Sequence, residues 1–148
     1  MAKQQVPRLY HSTALLLPDA RVLVTGGGVF SPQEADIYNA EIFSPPYLFR
    51  GPRPVIGSAP AAISYGSQFS VSTPDAARIG SVSMIRLGAV THTFNSSQRY
   101  VPLTFQVGSG QLSVQAPFNG NIAPPGYYML FIVDTTGIPS ISAIIHIS

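Results

Sequence analysis

No stretch of this chain sustains the period of an amphipathic helix. Its apolar residues come in runs of strand length, cut by 14 prolines and 13 glycines. Proline removes a backbone donor and clashes with a helical turn, and glycine supplies the tight turns between strands. Short apolar runs between such residues predict an all-β chain. At 148 residues there is room for one domain with a real core, or one domain and a fragment of another. Hydrophobic residues make up 45% and charged residues 9%, the reverse of the composition that keeps a chain disordered.

Two segments differ in their punctuation. Residues 12–17 read as a strand, Pro18-Asp19-Ala20 as a turn and 21–25 as a second strand. Gly26-Gly27-Gly28 breaks the pattern, and 40–43 resumes it before Ser44-Pro45-Pro46. This is the outline of one kelch-type propeller blade. Stacked repeats need about three units for stability. A lone blade over residues 8–44 is therefore expected to show edge strands and apolar surface, and to dimerise, aggregate or lose order without a partner. Residues 45–54 carry four prolines and read as a linker, which places the blade remnant in 1–50 and a second domain in 51–148.

In the second segment the strand candidates are 68–72, 81–87, 101–107, 111–115, 127–133 and 142–147, with one more near Val55-Ile56. Gly108-Ser109-Gly110 reads as a three-residue hairpin connection. About seven such strands predict an immunoglobulin-like β-sandwich. Tyr127, Tyr128 and Phe131 read mostly as packing, and an exposed pair among them would suit stacking on sugars.

Several function classes fall away. The net charge is +2, with basic residues scattered rather than clustered as a nucleic-acid footprint, so nucleic acid is not an expected partner. With no cysteine there is no disulfide, zinc–thiolate site or thiol nucleophile. Residues 1–7 lack the apolar core of a signal peptide, and the longest apolar run, around 129–133, is far below the roughly 20 residues of a membrane helix. No membrane role is expected, and the compartment is unknown. The glycine triplet has no following Gly-Lys-Ser/Thr and reads as a blade turn. No Gly-x-Ser-x-Gly is present, and Glu41, Asp75 and Asp134 form no pair of the kind glycoside hydrolysis requires.

The chain has three histidines. Tyr10-His11 precedes the first strand, and Thr91-His92-Thr93 lies between two later ones. Imidazole and phenolate donors together suit copper or iron better than calcium or magnesium. On residue type alone, Tyr10-His11 reads more readily as an ordinary loop-edge pair than as a metal site, and His92 as a satisfied turn or core histidine. His146 falls in a terminal strand and takes no role. Asn95-Ser96-Ser97 matches a glycosylation acceptor, and Gln98-Arg99 reads as hydrogen-bonding hairpin backbone.

Three separated motifs resemble one family. Arg8-Leu9-Tyr10-His11-Ser12-Thr13-Ala14-Leu15-Leu16-Leu17-Pro18-Asp19 and Val90-Thr91-His92-Thr93-Phe94-Asn95-Ser96-Ser97-Gln98-Arg99 are similar to the copper-ligand regions of the galactose oxidase and glyoxal oxidase family. Pro125-Gly126-Tyr127-Tyr128-Met129-Leu130-Phe131, with Gly137-Ile138-Pro139-Ser140, resembles that family's C-terminal domain.

The resemblance implies an immunoglobulin-like, early-set β-sandwich after the last blade of a propeller, with a hairpin delivering His92 to copper. It implies Tyr10 as axial ligand and catalytic base, and His11 and His92 as copper ligands. It also implies oxidation of a primary alcohol, aldehyde or carbohydrate with dioxygen, giving hydrogen peroxide. In the family the radical tyrosine is crosslinked to a cysteine, which this chain lacks. It is therefore expected to hold part of a copper site, to be inactive alone, and to need the other blades or a partner chain supplying them. Asn95 would lie near the hairpin tip, where a glycan does not fit. Family members are usually secreted or at the cell surface. The rival expectation is a non-catalytic immunoglobulin-like binding or structural module.

Overall fold

The computed structural model describes residues 3–28 and 36–148. Met1, Ala2 and residues 29–35, all inside the expected blade segment, lie outside the described residues. The first unit is a three-stranded antiparallel sheet in chain order: β1 (Thr13–Leu16), β2 (Val22–Thr25) and β3 (Ala40–Phe43). The turn between β1 and β2 closes through Ala20 N–H to the Leu17 carbonyl at 2.9 Å. Asp19 fixes its far side by accepting from Arg21 N at 3.1 Å and Arg21 Nε at 2.7 Å.

Residues 45–54 are a packed joint rather than a bare tether. A short 3₁₀ turn, Pro46–Phe49, brings Tyr47 back to donate to the Ala20 carbonyl at 2.7 Å. Arg53 donates to the carbonyls of Pro139 and Ser140 at 2.8 and 2.5 Å.

The second unit contains β4 (Ala62–Ile63), β5 (Gln68–Ser72), β6 (Ile79–Arg86), β7 (Val90–Thr91), β8 (Phe94–Asn95), β9 (Tyr100–Leu103), β10 (Phe105–Gly108), β11 (Gln111–Gln115), β12 (Gly126–Asp134) and β13 (Ala143–Ile147). Two sheets form the sandwich: β10-β11-β5, and β4-β13-β12-β6-β9. Period-two alternation turns Phe69, Val71, Leu112 and Val114 of one sheet toward Val82, Met84, Leu130, Ile132, Ile145 and Ile147 of the other. Tyr128 joins this core with its ring fully buried, and its hydroxyl donates to the Pro124 carbonyl at 2.7 Å. A buried phenol needs such a partner.

Three expectations are corrected. Residues 101–107 are two strands, because the chain leaves one sheet after Leu103 and enters the other at Phe105. The Thr104 carbonyl between them accepts from Gln115 N at 2.9 Å. Val55-Ile56 is not a strand; Val55 N–H donates to Asp75 Oδ2, and the chain reaches the sheet only at a Ser58–Ser72 bridge. The turn at 108–110 has a two-residue loop, since Gly108 pairs with Gln111 and leaves Ser109 and a left-handed Gly110 (φ 68°) at the tip.

β12 explains how the two units meet. Tyr128, Leu130 and Ile132 face the sandwich core. Met129 and Phe131 point out of the opposite face, into Ala20, Leu16, Tyr47, Leu48 and Ile85. This central strand is therefore apolar on both faces, the pattern of a strand covered on both sides. Tyr127, on that outer face beyond the blade, is exposed and pairs edge-on with His146.

Candidate metal centre

His11 and His92 come from different units and reach one place. The turn at 9–12 closes with Ser12 N–H donating to the Leu9 carbonyl at 3.2 Å, and it holds His11 in the left-handed region at φ 61°. Below it runs Gly26, itself left-handed at φ 72°. A Cβ on Gly26 would stand 2.5 Å from the His11 carbonyl oxygen, so only glycine permits this approach.

The second histidine is presented by β7 and β8, whose register pairs Val90 with Asn95 and Thr91 with Phe94. The two-residue tip is His92-Thr93, with φ of 51° and 69°. Positive φ at both central residues is the type I′ geometry that matches strand twist, and asparagine or glycine usually occupies it. A β-branched threonine there is strained. Asn95 braces the root of the hairpin, its Oδ1 accepting from Ala89 N at 3.1 Å and Ser97 N at 3.2 Å. Gly88 lets the root lie against the blade, where a Cβ would meet Leu15 Cδ2 at 2.6 Å.

The rings of His11 and His92 stand edge to face, centroids 4.9 Å apart at an interplanar angle of 68°. The Tyr10 ring leans on His11 at 4.0 Å and 36°. An imidazole bound at about 2.0–2.1 Å places its centroid about 3.2 Å from a metal, so two cis rings on one ion stand about 4.5–5.2 Å apart. The observed 4.9 Å falls in that range, as it also falls in the range of about 4.5–7 Å for any edge-to-face ring contact. Thr91 Oγ1 lies 2.6 Å from His92 Nδ1. When Nδ1–H donates to that hydroxyl, Nε2 keeps its lone pair for a metal, as outer partners of ligating histidines commonly arrange.

Two imidazoles and a phenol suit copper, which takes N and O donors. Among the described residues no three His, Cys, Asp or Glu side chains cluster, so this donor set is incomplete without Tyr10 or a group from elsewhere. All three rings are exposed, Tyr10 by 51%. A cleft of about 430 Å³ between the blade and the hairpin is lined by chain neighbours of these residues, Ser12, Thr13, Val90, Thr93, Phe94 and Asn95, and by none of the three rings.

The remaining candidates sort away from this centre. His146 lies on the outer face of the five-stranded sheet against Tyr127. Gln98 N–H donates to the Asn95 carbonyl of the hairpin at 3.3 Å, as expected, whereas the Arg99 side chain donates to the carbonyls of Asn121 and Ile122 at 3.0 and 2.9 Å. Asp75 and Asp134 flank Arg78 at 3.0 and 2.7 Å, so these carboxylates serve an ion-pair network. Burial opposes ionisation of Asp134, yet donors from Ile138 and Thr136, with Arg78, hold its carboxyl below the usual range. Sequence reasoning missed Gly26 and the Thr91 contact. The glycine triplet and the threonines flanking His92 were visible, but their partners lie across folds or inside rotamers.

Comparisons with known proteins show the family to which this chain is related. Residues 53–147 match the family model described as "Galactose oxidase-like, Early set domain". A galactose oxidase of Gibberella zeae is 37% identical over 97% of this chain and 22% of its own length. The aldehyde oxidase GLOX of Vitis pseudoreticulata is 40% identical over 93% of this chain and 29% of its own. A fungal alcohol oxidase solved in complex with copper superposes with a TM-score of 0.89 at 36% identity, covering 99% of this chain and 32% of that one. The chain thus spans less than a third of the length of these relatives.

Proposed function

The chain belongs to the galactose oxidase-like family, carrying its early set domain, and from that premise we propose that it is the C-terminal portion of a copper-dependent alcohol or aldehyde oxidase. The observation that carries this reading is the edge-to-face approach of His11 and His92 at 4.9 Å, from two separate units of the fold.

In this reading His11 and His92 hold copper as neutral imidazoles, and Tyr10 is the third protein donor. Copper held there would supply, with a tyrosyl radical from outside this chain, a two-electron acceptor for oxidising a primary alcohol or an aldehyde, with dioxygen reduced to hydrogen peroxide. Tyr10 Oη takes the proton of the substrate hydroxyl. Thr91 fixes the His92 tautomer, and Asn95 keeps the hairpin upright. The exposed rings need cover before such chemistry proceeds, since water must be excluded from a site that develops charge. The chain has no cysteine for a crosslinked radical tyrosine. It is therefore inactive alone and completes its site with further blades or a chain that supplies them.

Calorimetric titration with copper(II) tests this directly. The wild-type chain binds one equivalent, and the His11→Ala, His92→Ala double variant does not. Equal, weak binding by both would refute the reading. A further expected result is that the copper-loaded chain yields no hydrogen peroxide from galactose, a simple primary alcohol or an aldehyde.

A further inference from the structure

The most deeply buried cation near the metal centre touches no ligand. The Arg8 side chain is 1% exposed, two residues ahead of Tyr10. Its Nη1 donates to the Gly26 carbonyl at 2.8 Å and to the Asn39 carbonyl at 3.0 Å. Its Nη2 donates to Asn39 Oδ1 and lies 3.7 Å from Glu41 Oε2. Glu41 in turn accepts from Gln5 N at 2.9 Å, so the strap before Tyr10 is tied to β3 at two points. Burying a guanidinium is costly unless its donors are used. Here Nη1 and Nη2 are used, on Gly26, Asn39 and Glu41, while Nε finds no partner. Of these partners Gly26 is the one that meets the His11 carbonyl.

We propose that Arg8 is a positioning residue for the metal centre: it locks Gly26 beneath His11 and so sets the spacing between His11 and His92. Gly26 is the pivot. One side of it is pinned by Arg8 Nη1, and its Cα face has no room for a Cβ beneath the His11 carbonyl. A left-handed His11 has no glycine-like tolerance of its own, so the surroundings must hold it there. The planar fork matters, because one lysine ammonium cannot serve Gly26, Asn39 and Glu41 with the same geometry. The inference takes its meaning from the copper reading, but its test does not depend on copper.

The test is the nuclear Overhauser cross-peak between the His11 and His92 rings in the metal-free chain. The Tyr127–His146 pair, also at 4.9 Å, is the internal control. In Arg8→Lys the His11–His92 cross-peak is lost, the control peak persists, and the amides of β1 and β2 stay protected from exchange. An unchanged His11–His92 cross-peak would overturn the proposal. Loss of β1 and β2 protection in Arg8→Lys moves the same comparison to Asn39→Ala, which keeps the guanidinium and removes one acceptor. Loss of protection there too would make Arg8 a support of the blade alone and overturn its positioning role.

A double-mutant cycle on copper(II) affinity gives the second readout. Arg8→Lys weakens binding about 10–100-fold in the wild-type background and has no effect on a His11→Ala background. An equal loss in both backgrounds would overturn the proposal. A wild-type chain that binds no copper at the histidines refutes the functional reading and leaves the cross-peak result to stand by itself.

Discussion

Thr91 Oγ1 and His92 Nδ1 are 2.6 Å apart, on the last strand residue and the first turn residue of the β7–β8 hairpin. The contact engages Nδ1. When Nδ1–H donates to the hydroxyl, Nε2 keeps its lone pair and is the nitrogen of His92 open to a metal. The turn's positive φ values give the imidazole its direction.

Replacing Thr91 with valine keeps the β-branched shape and removes the hydroxyl. Copper(II) affinity is expected to fall about 10–100-fold, the usual cost of losing an outer partner of a ligating histidine. Thr91→Ser retains the oxygen and is expected to restore most of the affinity. Calorimetry on both variants checks this, and equal affinity in Thr91→Val and wild type would refute it.

The hairpin tip also stores strain that can be released. Thr93 sits at φ 69°, where a β-branched side chain meets backbone. Thr93→Gly is expected to stabilise the hairpin by about 1 kcal/mol, the order of the left-handed penalty. The amides of Val90 and Asn95, the hairpin's pairing residues, should then exchange more slowly. Faster exchange would show that Thr93 contributes packing that outweighs its strain.

Much of the fold was legible because alternation and turn residues agreed. Strands β3, β5 and β11 begin and end where the apolar pattern and its flanking prolines and glycines place them. The crossing at Thr104 was not legible, since alternation runs straight through a chain that changes sheets. The β7–β8 hairpin escaped as strands because each has two residues, and its turn is His-Thr instead of Asn-Gly. For the site, residue type offered Tyr10, His11 and His92 as donors, and family resemblance gave them roles. What brings them together is long-range: Arg8 reaching Gly26 and Asn39, and Leu15 lying against Gly88. A one-dimensional pattern has no term for either.

The ion pairs around Arg78 predict how the sandwich responds to acid. Asp75 is held below the usual carboxylate range by the Val55 N–H, against an opposing effect of burial, with Arg78 adding to the lowering. Asp134 is lowered too, because its donors and Arg78 outweigh its burial. A carboxyl depressed in the folded state stabilises the fold above its unfolded pKa, about 3.9, and loses that contribution as pH falls through the folded value. Denaturant stability is therefore expected to stay level from neutral pH to about 5 and to fall below about 4. Asp134→Asn should cost about 1.5–3 kcal/mol at neutral pH, the range for hydrogen bonds to a charged group. The gap to wild type should close as pH drops below about 3. A gap that is constant with pH would mean the carboxylate's charge contributes nothing.

Removing residues 1–50 tests how far the sandwich stands alone. The four prolines of residues 45–54 suggested a linker between separable units. The outer face of β12 changes that expectation, because Met129 and Phe131 are 2% and 3% exposed only while Leu16, Ala20, Tyr47 and Leu48 cover them. Each such side chain is worth about 1.5–3 kcal/mol when fully buried, so uncovering both costs about 3–6 kcal/mol. A domain of this size holds about 5–15 kcal/mol in all. The main core, which contains none of the deleted residues, should keep the remainder folded but much closer to its threshold. The truncated chain is expected to unfold at markedly lower denaturant and to self-associate through the uncovered face. Met129→Ser with Phe131→Ser in the truncated chain should abolish the association. If the truncated chain is as stable as the full one and monomeric, the blade is a passenger on the sandwich. If it is weaker and the serine pair returns it to a monomer, the blade is the cover that the sandwich's outer face requires.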